Sequence, residues 1–402
     1  MSDFRQFEKR LPAWSLFFLL LYLGAFLWAL SLDVRGDGRN PSPPGVDFAL
    51  FYAAGEMVRE GRGEEIYQEE AHHEAVEGVL ERETPARLPW LYPPSFLLLI
   101  LPFTFLPYTP ALLLWLAGTL GLMLWSAWGL GEGKGWPQAL LLAGFPGVFL
   151  NLRWGQNAFL TTALLGLSLH HMGKRPVLAG LFLGLLSFKP QLAFFPLLLL
   201  IFSKAWRELF WAALFSLLTV LLSGLLLGFD LWLAFFRSLG ASSQAALEGA
   251  WESVAAIQPT VQTALRIWGV EGNLLTALVL LVGLAAFLSV LWIWRKSTRP
   301  ALKGGAVVLG LFLASPYFLQ YDLMLLGIPF LLLLKEFREK GGGKGEWLLL
   351  ALLWITPLAS WILVAYTHFQ ITPLVLGGTL GVLFLRVRRE KERCDDEEHA
   401  HE

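Results

Sequence analysis

The chain has 402 residues, 55% hydrophobic and 14% aromatic, with a formal net charge of −1 and a mean hydropathy of +0.56. So much apolar surface excludes a soluble domain and is read as an all-α, polytopic integral membrane protein. The Lys and Arg residues are scattered through short loops with no basic stripe, which argues against nucleic acid, and the single cysteine, Cys394, excludes an internal disulfide and Cys/His zinc spacing.

The first apolar run, Ala13 to Leu32, follows Arg5, Lys9 and Arg10. It is long enough to span, because about 20 helical residues cover the hydrocarbon core. With no small-residue cleavage site it reads as an anchor. Further apolar segments run from Ser95 to Leu106, Ala111 to Leu130, Ala139 to Leu150, Ala158 to His171, Val177 to Phe188, Leu192 to Phe202 and Leu209 to Gly228. After a polar interval they resume at Leu274 to Trp294, Ala306 to Ala314, Leu323 to Leu334, Trp347 to Ala365 and Pro373 to Leu385. Residues 1–385 are thus expected to form one polytopic domain, followed by a charged cytoplasmic tail over 386–402.

Basic residues in short loops stay cytoplasmic. The cluster Arg295, Lys296, Arg299, Lys303, with Lys174-Arg175, Lys204, Arg207 and the tail, places both ends of the chain in the cytoplasm. A first external loop is then expected over 33–93 and a second over 230–272. The interval Asp33 to Tyr92 holds 13 acidic against 6 basic residues, which fits that side. Thirteen segments cannot give two cytoplasmic ends, so about 12 crossing helices are expected, with one re-entrant or broken segment, Ser95 to Leu106 or Ala139 to Leu150. Irregular backbone at membrane depth normally lines a buried cavity.

Polar residues at the ends of apolar segments are the site candidates, since a charge beside hydrocarbon is costly without a partner or a task. Asp47 follows a Pro43-Pro44-Gly45-Val46 turn and reads either as an N-cap or as a general base at the membrane surface. Lys189, beside Pro190, either snorkels to the interface or supplies a cation at a broken helix. Arg153 is a surface anchor or a second cation. Gln156 and Asn157 cap a helix or recognise a substrate hydroxyl, and Gln258 and Arg266 are solvated loop residues or ligands. Asp322 is a structural pair within the bundle, a substrate ligand or half of a cation site with Asp47. A divalent cation is left open, and no other cofactor is expected.

The order of these segments resembles glycosyltransferase family 87, long labelled domain of unknown function 2029. The resemblance is carried by Asp47-Phe48 with Phe51-Tyr52-Ala53-Ala54-Gly55, Ile66-Tyr67, Tyr92-Pro93-Pro94, Trp154-Gly155-Gln156-Asn157, Arg175-Pro176 and Phe188-Lys189-Pro190-Gln191. It continues through Ile257-Gln258-Pro259-Thr260, Leu265-Arg266, Ala314-Ser315-Pro316-Tyr317 and Tyr321-Asp322-Leu323. It implies the C-type glycosyltransferase architecture, with external loops forming the active site on the outer face of the cytoplasmic membrane. A hexose, commonly mannose, would pass from a polyprenyl-phosphate donor to a lipid or glycan acceptor with inversion, and Asp47 would be the base. Lys189, Arg153 and Arg266 would face the donor phosphate. Tyr92, Gln156, Asn157, Gln191, Gln258, Tyr321 and Asp322 would bind substrate. The His-containing form of the Ser-Pro segment found in mycobacterial relatives is absent here. A transporter or flippase is the alternative, although no internal repeat is evident.

Overall fold

The computed structural model describes residues 2–34, 44–84, 89–130, 135–248 and 257–401. Among them every regular element is helical, because a backbone without water must satisfy its polar groups within its own segment. The elements in order are α1 (Ser2–Val34), α2 (Val46–Arg59), α3 (Glu69–Leu80), α4 (Pro94–Ile100), α5 (Tyr108–Leu130) and α6 (Gly135–Ala143). They are followed by α7 (Gly147–Trp154), α8 (Ala158–His171), α9 (Pro176–Leu185), α10 (Pro190–Phe202), α11 (Trp206–Leu227) and α12 (Phe229–Glu248). The last are α13 (Val261–Ile267), α14 (Gly272–Lys296), α15 (Pro300–Ala314), α16 (Gly327–Lys340), α17 (Lys344–Thr367) and α18 (Thr372–His401). Residues 35–43 and 85–88 of the first expected loop, and 249–256 of the second, lie outside the described residues.

Five of these helices, α1 from Arg10 to Leu32, α5, α11, α14 and α17, are long and apolar enough to cross a membrane alone. The chain is therefore a multi-pass membrane protein. The remaining apolar stretches are shorter: Pro94–Phe105, Pro176–Phe188, Pro190–Phe202 and Pro300–Ala314. Each opens on a proline, which sets the helical φ and needs no hydrogen bond at a helix start. One irregular segment was expected, in either of two places, and the helix is interrupted in both. Pro94 to Phe105 tightens from α4 into a 3-10 turn at Leu101–Phe105, and Ala139 to Leu150 divides at Gly144-Phe145-Pro146 between α6 and α7.

The long helices present leucine, phenylalanine and tryptophan outward, as Leu225 of α11 and Leu280 of α14 do. The short helices fill the centre, and α8 is buried from Ala158 to Ser168. At one end of α15 its N-cap Arg299 bonds Glu336 of α16 and Glu390 of α18, while Arg386 of α18 bonds Glu346 of α17 at 3.0 Å. This clasp joins the ends of α15, α16 and α17 to the middle of α18. Beyond the other end of α15 lies the 3-10 turn Gln320–Leu326, wholly buried, where the polar residues gather.

Candidate active site

The site begins with how α2 starts. Gly45 has φ +82°, a left-handed conformation that favours glycine, and its N–H donates to the Arg153 carbonyl at 3.0 Å while its own carbonyl accepts from the Tyr108 hydroxyl at 2.7 Å. Gly45 therefore occupies the N-cap position. Asp47 is not the cap that its place after the Pro-Pro-Gly turn suggested. It sits one residue inside the first turn, where the positive end of the helix favours a carboxylate, and its Oδ2 accepts a 2.8 Å bond from Gln156 Nε2. Asp47 is 8% exposed. Burial pushes its carboxyl up to about 6, against the lowering influence of Gln156, Arg153 and Lys189.

Gln156 belongs to the turn between α7 and α8. Its first residue, Gly155, has φ +72°, and a Cβ there would lie 2.7 Å from Phe48 Cβ and 2.9 Å from Gly45 Cα. Only glycine lets this turn lie against the start of α2. The Gly155 carbonyl accepts from Trp115 Nε1 at 3.2 Å, and the Asn157 N–H donates to Gln156 Oε1 at 3.2 Å. Asn157 is the residue before α8, yet its side chain does not cap that helix. Its Nδ2 donates to the Tyr92 hydroxyl and its Oδ1 accepts from Lys189 Nζ, both at 2.9 Å. The capping bond comes instead from Asn151, whose Oδ1 accepts from the Ala158 N–H at 3.0 Å.

Lys189 lies at the break between the 3-10 turn Leu186–Phe188 and α10. Its ammonium reaches Asp322 Oδ1 at 2.5 Å and lies 5.1 Å from the Tyr321 ring centre. Lys189 and Asp322 side chains are each 3% exposed. Lys189 is thus engaged by protein groups rather than snorkelling, and Asp322 has the bundle partner that one reading of its position required. The second Asp322 oxygen accepts from the Leu319 N–H at 3.2 Å.

An aromatic wall backs this network. Tyr92 stacks on Phe96 at 4.5 Å between ring centres and Phe96 on Phe188 at 5.0 Å, while Phe51 meets Phe96 edge-on at 5.0 Å. Offset and edge-on pairs of this kind fix side chains without polar groups. The Tyr67 hydroxyl secures the Tyr92 carbonyl at 3.0 Å.

Asp47, Gln156, Asn157, Tyr92, Lys189 and Asp322, separated widely in sequence, therefore form one hydrogen-bonded network. Tyr321 forms part of its side. Arg153, half-buried at the end of α7, lies 5.0 Å from the Trp154 ring centre and within electrostatic reach of Asp47. Gln191 and Gln258 are half-buried and take no hydrogen bond in this network among the described residues. The segment carrying Gln258 and Arg266 is tied to the site by its backbone, Gln320 N–H donating to the Ile257 carbonyl at 2.8 Å. Asp47 and Asp322 belong to no group of three or more metal-ligating side chains among the described residues.

Two residues at the network were not among the site candidates. Asn151 is fully buried, and its Nδ2 donates to the carbonyls of Gly147 at 3.0 Å and Tyr321 at 3.1 Å. An amide inside the apolar run Gly147–Trp154 was the available signal. Tyr317 lies close enough to Asp322 and Asp47 to be affected by both, and with burial as the main cause its hydroxyl is pushed up to about 12.

A buried carboxylate and a buried ion pair thus gather where helices break in a multi-pass membrane protein. The family model for glycosyltransferase family 87 matches residues 90–316, more than half of the chain, and the chain belongs to that family. It is a membrane glycosyltransferase. The matched span includes Tyr92, Arg153, Gln156, Asn157, Lys189, Gln191, Gln258 and Arg266, while Asp47, Tyr321 and Asp322 lie outside it. No curated protein and no solved structure matches the chain.

Proposed function

We propose that the protein transfers a hexose, mannose by family resemblance, from a polyprenyl-phosphate donor to a lipid or glycan acceptor on the outer face of the cytoplasmic membrane. Asp47 is the general base. Its carboxylate takes the proton of the acceptor hydroxyl as that oxygen attacks the anomeric carbon, the bond from that carbon to the phosphate oxygen breaks, and polyprenyl phosphate leaves with the bonding pair. The configuration inverts. Arg153, whose charge acts on Asp47, supplies positive charge for the departing phosphate, as does Lys189 at its helix break. Arg266 is the second choice, on the flanking segment.

The observation that supports this reading most is the environment of Asp47: buried, held by one amide and raised to about 6. A carboxylate of that kind is ionised near neutral pH and still basic enough to accept a proton, which supports the role of base. The test is transfer from radiolabelled polyprenyl-phosphate mannose to a total lipid extract by purified protein in nanodiscs, native against Asp47→Asn. A loss of about 10² to 10⁴-fold is expected for the variant. Absence of transfer by folded native protein across mannose, glucose and arabinose donors would move the reading to a transporter, which a buried ion pair at a helix break also suits.

A further inference from the structure

The two amide side chains of the Gly155-Gln156-Asn157 turn are each held in one orientation. An ammonium only donates, so the Asn157 oxygen is the atom that faces Lys189, and the Asn157 amide nitrogen is left to donate to the Tyr92 hydroxyl. A backbone N–H also only donates, so the Gln156 oxygen faces the Asn157 N–H and the Gln156 nitrogen is left to donate to Asp47. At one end of the turn Gly155 is packed against Phe48 and Gly45. At the other, Asn157 is clamped by Lys189 and Tyr92. Gln156, 4% exposed between them, has each of its polar atoms already bonded to protein.

We propose that Gln156 is a positioning residue for Asp47, holding one carboxylate oxygen so that the other faces the acceptor hydroxyl. The Lys189–Asp322 pair supports it at one remove, by fixing Asn157 and so the turn. This rests on Asp47 being the base, and it takes Gln156 out of the set of sugar ligands. The groups that face Asp47 from neighbouring elements are Arg153 at the end of α7, Lys189 before α10, Tyr92 before α4, and Tyr317 and Tyr321 around the Gln320–Leu326 turn. Tyr108 of α5 is bonded to the Gly45 carbonyl, and His72 of α3 faces the Leu50 carbonyl one helical turn away. Gln156 reaches the carboxylate directly, its Nε2 donating to Oδ2 at 2.8 Å.

Two readouts test the proposal in native, Gln156→Ala and Gln156→Glu chains. The first is the pH profile of kcat/KM for transfer from polyprenyl-phosphate mannose. The second is the pH of half-maximal labelling of Asp47 by a hydrophobic carbodiimide, which reacts with the protonated carboxyl, followed by mass spectrometry. Removing the donor in Gln156→Ala is expected to move both midpoints about one unit to higher pH, giving a loss of about tenfold at pH 5 and a much smaller one at pH 8. Gln156→Glu preserves shape and an acceptor for the Asn157 N–H, and by setting a second carboxyl against Asp47 it moves the midpoints further the same way. A purely structural role would depress the profile evenly at every pH. Midpoints unmoved in both variants overturn the proposal. Transfer that persists in Asp47→Asn overturns the base reading itself, and the labelling midpoints then decide the link from Gln156 to Asp47 on their own.

Discussion

Two charged clusters hold this protein together, and they are built by different rules. At one end of α15, Arg299, Glu336, Arg386, Glu346 and Glu390 share several partners across four helices, and all but Glu336 keep appreciable contact with solvent. Beyond the other end, Lys189 and Asp322 form a single pair, 3% exposed, completed by neutral groups: one amide, one backbone N–H and one aromatic ring. A solvated cluster can lose a member and re-pair, whereas an isolated buried pair leaves an uncompensated charge. The first arrangement suits anchorage. The second suits a place where geometry must not vary.

The sharpest way to break that comparison is Lys189→Met. It is expected to cost about 3 to 5 kcal/mol, because it strands the Asp322 carboxylate, and adding Asp322→Leu should recover most of the loss; thermal unfolding of the purified protein in detergent measures both. A single variant no worse than one in the solvated cluster would remove the distinction. Next in size is Gly155→Ala, for which a strained left-handed backbone alone costs about 1 to 3 kcal/mol. The added Cβ also presses on Phe48, so transfer should fall together with the unfolding midpoint.

The pH dependence follows from Asp47 in two opposite directions. As a base it works only when ionised, so transfer should rise about tenfold per unit up to about pH 6 and then level off. In stability the sign reverses. A carboxyl whose folded value lies above its unfolded one binds its proton more tightly in the folded chain, so that contribution is present in acid and fades as pH rises from about 4 through 6. Transfer rates and unfolding midpoints across pH 4 to 8 should therefore diverge in that window. The smallest effect is expected for Arg386→Met, about 1 kcal/mol after allowance for solvent screening, and half-molar salt should shrink it further.

The site was legible in the sequence to the extent that its residues mark helix ends. Asp47 after Gly45, Gln156 and Asn157 after Gly155, Lys189 before Pro190 and Tyr92 before two prolines all stand where the backbone breaks, and polar groups there need partners. What the sequence does not encode locally is which partner each one takes. A residue after a turn looks the same whether its carboxylate caps its own helix or reaches across to Gln156, because that choice depends on the distant contact of Gly45 with Arg153. The number of crossings was legible only in part for a related reason. A 12-residue apolar helix such as Pro94–Phe105 satisfies a hydropathy window whether its ends meet water, headgroups or other helices. Asn151 went unread because its carbonyl partner, Tyr321, lies 170 positions further along the chain.

The turn between α7 and α8 also sets where this protein tolerates change in length. The connection at 341–343 between α16 and α17 lies at the solvated cluster, where long side chains can take up an added residue. Gly155, Gln156 and Asn157 are consecutive, and each is matched to a different fixed element: the start of α2, the carboxylate, and the lysine. One residue inserted there would turn two amides away from two partners at once, so chains that keep this chemistry are expected to vary freely in their connections while counting this turn to the residue.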